Sequence, residues 1–185
     1  MANVSNVKSK FFGAVDALDA DGISVAATIG SATTLTLGGT LTSGGSYTSG
    51  DNIGQLITIL SAGDDSGITF TVVGTNAVGD AQTEVVTGAN AGTATSSGYF
   101  NTVASITTSA ASAGNVSAGV TGTGTGTIFA GRTRVRGLQG LSAATAGNLL
   151  FKNTSVTGTT LMTIPTSTST TDLIEPYIPD NAVLF

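Results

Sequence analysis

Residues 55–72 read Gln55-Leu56-Ile57-Thr58-Ile59-Leu60-Ser61-Ala62-Gly63-Asp64-Asp65-Ser66-Gly67-Ile68-Thr69-Phe70-Thr71-Val72, and this stretch decides the fold class. In its second half Ile68, Phe70 and Val72 alternate with Thr69 and Thr71, placing apolar groups on one face of a pleated strand and hydroxyls on the other. The first half is a second short run of apolar and β-branched residues. Between them, Gly63-Asp64-Asp65-Ser66-Gly67 carries the residue types of a tight turn.

The same alternation of short runs and turns extends in both directions. Ile23-Ser24-Val25 and Thr34-Leu35-Thr36-Leu37 read as further strands, and Ser43-Gly44-Gly45, Ser49-Gly50-Asp51-Asn52 and Asn76-Ala77-Val78-Gly79-Asp80 as turns. Strands spaced about eight to twelve residues apart with turn signals between them favour a sandwich or barrel over a βαβ fold. The expected class is all-β, with antiparallel β-sandwich or jelly-roll-like modules and an N-terminal arm, and no helix after residue 21.

Composition restricts the function. The chain of 185 residues has no histidine and no cysteine, which excludes disulfides, thiolate metal sites and every histidine-dependent catalytic device. Charged residues make up 9%, against about a quarter in ordinary soluble domains. With 40% hydrophobic residues and a net charge of −5, order is favoured over disorder. The same figures leave a free monomer prone to edge-to-edge association, which a fixed oligomer resolves. No apolar run is long enough for a membrane span, and no secretory signal is visible, so synthesis in a cytoplasm is expected.

Four regions are expected. Residues 1–21 read as an arm carrying Lys8, Lys10, Asp16, Asp19 and Asp21. Val7, Phe11, Val15 and Leu18 fall at helical spacing there, but Gly13 weakens so short a helix and an extended arm fits equally. Phe11 and Phe12 need apolar surroundings, either in this chain's own core or on a neighbouring subunit. Residues 22–121 form the first β-module. The Gly/Thr tract 122–131 reads as a linker, and 132–185 as a second, possibly incomplete, β-module. Ser109–Val116 is echoed by Ser142–Leu149, consistent with one hairpin type used twice.

Few constellations could carry chemistry. Gly63–Gly67 approximates the serine-protease nucleophile string only if one aspartate is skipped, and no histidine exists to act as base. The alternating Gly122–Thr127 tract lacks the lysine and helix of a phosphate loop. Asp16, Asp19 and Asp21 invite comparison with a calcium loop, but the EF-hand pattern fails at Ala17 and Thr28; these aspartates, like Asp64, Asp65 and Asp80, suit turn hydrogen bonding. No catalytic residue, metal ligand or cofactor is predicted. Arg132, Arg134 and Arg136 alternate with Thr133 and Val135, so in a strand their guanidinium groups share one face and call for anionic company. That company is an acidic patch on another subunit, or Glu84, Asp172 and Glu175 of the same chain. Nucleic acid ranks last, because the pI is near 4.2 and the stripe has no aromatic stacking partners. Phe11, Phe12, Arg132, Arg134 and Arg136 are therefore the candidate partner interface.

The phrases Asp65-Ser66-Gly67-Ile68-Thr69-Phe70-Thr71-Val72, Gln82-Thr83-Glu84-Val85-Val86-Thr87-Gly88 and Tyr99-Phe100-Asn101-Thr102-Val103-Ala104-Ser105-Ile106-Thr107 resemble β-rich modules of tailed-bacteriophage virion proteins, especially from marine and cyanobacterial phages. Gly158–Pro165 and Tyr177–Phe185 look like a second module of the same kind. The resemblance implies a non-enzymatic virion structural protein that decorates or cements the capsid as a symmetric oligomer, a trimer, with the 1–21 arm laid along a neighbouring subunit and the major capsid protein as a further partner. The alternatives are a tail fibre or a protein attached to a tail adaptor, and, further off, a receptor- or glycan-binding module, for which aromatics are scarce. In such modules further strands follow the Ile-Pro-Asp-Asn-x-Val-Leu-Phe phrase, so strands beyond Phe185 are expected from a longer natural chain or from a neighbour.

Overall fold

The computed structural model describes residues 8–129, 135–141, 146–169 and 172–175. It is all-β, with no helix among the described residues. The chain divides into two compact units, Met1–Ile128 and Phe129–Phe185.

The first unit contains β1 (Asp19–Thr28), β2 (Thr42–Ser43), β3 (Ser46–Thr48), β4 (Gly54–Ser61), β5 (Thr69–Thr75), β6 (Ala81–Thr87), β7 (Thr93–Phe100), β8 (Thr102–Thr108) and β9 (Asn115–Thr125). They form a four-stranded sheet in the order β1-β9-β4-β7 and a five-stranded sheet in the order β2-β3-β8-β5-β6. The pairing is nested. β5 pairs with β6, β4 with β7, β3 with β8 and β1 with β9, all antiparallel. One long hairpin has thus been rolled so that its successive rungs alternate between the two sheets. Rolling adds the β4·β9 and β5·β8 pairings that close each sheet.

The tip of that hairpin is the Asn76–Asp80 turn. Asn76 Oδ1 accepts the N–H groups of Val78 and Asp80, and Gly79 sits at φ 94°, a conformation that glycine adopts without steric cost. Inward residues follow the period of two in β4, β5 and β9, while in β8 the irregularity between Val103 and Ser105 sets its inward residues three apart. Phe70 and Val72 of β5, Ile57 and Ile59 of β4, Val103 and Ile106 of β8, and Val116, Ala118 and Val120 of β9 join one buried cluster, so the two sheets face each other across a single core.

Three expectations change at this level. Thr34–Leu37 forms only an isolated bridge, Thr34 to Thr107, although Leu35 and Leu37 do enter the core. The tract read as a linker over 122–131 is strand as far as Thr125, with Gly124 paired to Gln55 and Thr125 to Gly54. Its glycines serve close approach, as described below. The stretch 1–21 read as an arm divides, because Asp19, Ala20 and Asp21 already belong to β1, while residues 8–18 form neither helix nor strand.

In the second unit β11 (Gly147–Lys152) pairs with β12 (Thr160–Thr166), and β10 (Gly140–Leu141) pairs with β13 (Leu173–Ile174). Phe151 and Ile164 are its buried apolar side chains among the described residues.

Candidate partner interface

The most elaborate polar construction in the first unit lies where residues 8–18 cross the sandwich. Gln55 is on the inward face of β4, in line with Ile57 and Ile59, and is fully buried. A buried amide is costly unless bonded. Its Oε1 accepts the Asp16 N–H at 3.0 Å, the Ser49 hydroxyl at 3.0 Å and the Tyr47 hydroxyl at 2.9 Å, while its Nε2 donates to the Asp16 carbonyl at 3.1 Å. One side chain thereby reads both main-chain groups of Asp16. Tyr47, also fully buried, has a second acceptor in Asp16 Oδ2 at 2.8 Å, so its one hydrogen is shared between carboxylate and amide. Burial raises the Tyr47 pKa; the Ser49 hydroxyl opposes that shift and the Asp16 carboxylate adds to it.

The rest of the segment is held through main chain. Gly13 N–H donates to the Asp51 carbonyl at 2.8 Å, and Asn52 Nδ2 donates to the Phe11 carbonyl at 2.9 Å. The Gly/Thr tract supplies a track for the apolar side. A Cβ at Gly122 would meet the Leu18 backbone, one at Gly124 would meet the Val15 side chain, and one at Gly126 would strike the Phe12 ring. Leu18, Val15 and Phe12 thus pass antiparallel to Gly122, Gly124 and Gly126. Alternate glycines on a strand commonly mark such an approach.

The predicted interface residues fall as follows. Phe12 is half-buried over Gly126, with Lys10 Nζ 5.7 Å from its ring centroid. Phe11 points outward and is 70% exposed; Leu18, at 74%, does the same. Arg136 is exposed, and Arg132 and Arg134 lie outside the described residues. Of the carboxylates considered as intrachain partners for that stripe, Glu84 accepts Ser97 N–H, Ser97 Oγ–H and Gly98 N–H, stitching β6 to β7. Glu175 accepts Gln139 Nε2 at 2.6 Å.

The aspartates Asp19, Asp64 and Asp65 accept hydrogen bonds within the first unit. Thr40 Oγ1 and the Asp21 N–H hold the Asp19 carboxyl below the usual aspartate range. The hydroxyl and N–H of Ser66 do the same for the exposed Asp64. Asp65 is buried, with Oδ1 accepting the Ala113 N–H at 2.7 Å. No group of three or more acidic side chains suited to a metal ion occurs among the described residues.

Gln55, Tyr47, Ser49 and Asn52 were not singled out from sequence. A signal for Gln55 was present, since it shares strand parity with Ile57 and Ile59 and is polar on an otherwise apolar face. In comparisons with known proteins, no family model matches the chain, no curated protein matches it, and no solved structure matches it.

Proposed function

We propose that this chain is a non-enzymatic structural component of a tailed-phage virion, a capsid decoration or cement protein that works as a symmetric oligomer, most simply a trimer. The nested antiparallel pairing across two facing sheets supports a jelly-roll-like reading, an architecture used by viral capsid and lectin domains, alongside the virion-module phrases of the sequence. The observation that carries the reading is the sparse charge on the exterior of the sandwich. Val25 on edge strand β1, and Val73 and Val85 on the outer face of the five-stranded sheet, are exposed, and no charged residue occurs from Gly22 to Gly50 or from Val85 to Gly131. Native proteins ordinarily guard sheet edges with charge; β1 carries Asp19 and Asp21 at its start and no charge from Gly22 to Thr28, and that uncharged length of edge is suited to a surface that is covered in an assembly.

The test has two parts. Sedimentation of the recombinant chain should give one closed oligomer, and antibodies raised against it should label tailed-phage heads in many copies. Label at the tail in few copies would favour a fibre or adaptor-bound protein. A dispersed monomer at high concentration that labels no particle would overturn the reading.

A further inference from the structure

At the pole of the sandwich beyond the end of β4, three loops are joined through main chain. The Ser61 N–H donates to the Gly92 carbonyl, that of Ala62 to Asn115, that of Asp65 to Ala89 and that of Ala91 to Gly63. Glycines let these loops close on one another: a Cβ at Gly88 would meet the Asp65 carbonyl, and one at Gly63 would meet the Ala113 backbone. Within this seal Asp65 is 1% exposed. Its Oδ1 accepts the Ala113 N–H, but its Oδ2 has no hydrogen-bond partner, and neither has the buried Ser61 Oγ.

A buried oxygen left without a partner calls for a water or an ion, and a buried charge calls for an opposite charge or a metal. The sandwich offers Asp65 no basic side chain, because the sequence holds no lysine or arginine from Phe11 to Gly131. Lys10 stands over Phe12, beside Gly126, at the end where β4 begins rather than where it finishes. The adjacent Asp64 adds a second carboxylate, satisfied at Oδ1 by Ser66.

We propose that Asp65 Oδ2 binds a hard metal cation, calcium or sodium, taken from solution as the counter-charge that this pole lacks. Neutral oxygens of the same loops complete its shell, Ser61 Oγ first among them. The ion is held by one buried carboxylate and not by an acidic cluster, of which the described residues contain none. Calcium accepts mixed oxygen ligands in flexible geometry, whereas magnesium sheds water reluctantly and keeps several molecules of it, which so closed a position does not accommodate.

The test uses the full chain, freed of metal by a chelator and dialysed into a choline salt, to which calcium, sodium or magnesium is added at constant ionic strength. Calcium or sodium should raise the melting temperature saturably, by about 5 °C or more at a hundredfold excess over Kd, and magnesium should have little effect. Asp65→Asn keeps an acceptor for the Ala113 N–H and removes the charge, so it should respond to neither ion. No response in the parent, an equal response to magnesium, or a response retained in Asp65→Asn overturns the proposal.

Because Asp65→Asn can fail to fold, crystals of the unaltered chain grown with the stabilising ion give a second measurement. One ion within about 2.6 Å of Asp65 Oδ2 is expected. A water in that position, or ions on exposed carboxylates alone, overturns the proposal.

Discussion

Gln55 shows how a single buried amide can govern the course of a whole segment. Replacing it with leucine removes the acceptor of three donors and leaves the Asp16 N–H, the Tyr47 hydroxyl and the Ser49 hydroxyl competing for what remains. The expected cost is about 2–4 kcal/mol, measured by denaturant unfolding, together with faster amide exchange across residues 11–18. Two pH effects belong to the same scale. Asp64 has a folded pKa below the aspartate norm, so it contributes stability above the unfolded value near 3.9 that is lost as pH falls through the lower folded value. Carboxyl NMR should show Asp64 titrating below that norm, and Ser66→Ala should move it back up. Tyr47 has a raised pKa, so its contribution is complete below the unfolded value near 10 and is lost as pH rises beyond it. Ultraviolet titration should find its ionisation accompanied by unfolding.

Among the elements, the β6–β7 junction depends on Glu84, which carries three hydrogen bonds from Ser97 and Gly98. Glu84→Ala should cost about 1.5–3 kcal/mol in thermal or denaturant unfolding, whereas Thr83→Ala, at an exposed position of the same strand, should cost little. Much at this scale was legible in the sequence. The alternation of Phe70 and Val72 with threonines gave β5 its face, and the glycine and asparagine clusters marked the turns. Thr34–Leu37 was misleading because its alternation reports burial of Leu35 and Leu37, which an irregular segment also achieves. The Gly122–Thr127 tract was misleading in the opposite sense. Its composition suggests a linker, but its glycines are where Phe12, Val15 and Leu18 come close. Phe11 and Phe12 drew attention to the N-terminal segment, but its receptor could not be read locally, because Tyr47 and Gln55 meet Asp16 only after the sheets have rolled together.

Over the whole molecule, the nested pairing has a kinetic consequence. The pairing of β1 with β9 joins Ser24 to Ala118 and Thr28 to Asn115, so the outermost rungs unite distant parts of the chain. Refolding of the sandwich should take milliseconds to seconds, in the range of β-topologies rich in non-local contacts, and stopped-flow fluorescence of the tyrosines would measure it. Gly119→Ala, whose added methyl would collide with the Asp19 carbonyl, should separate β1 from β9 and accelerate unfolding more than it slows folding if these outer rungs form last.

The first strand of the sandwich lies beside its last, with Asp19 opposite Val120, so the polypeptide comes in and goes out at one pole. A cassette with that geometry can be spliced into a surface loop of an unrelated host without prising the loop apart. Evolution can therefore move such a unit between proteins, lengthening or replacing what flanks it, while the rolled core stays unaltered.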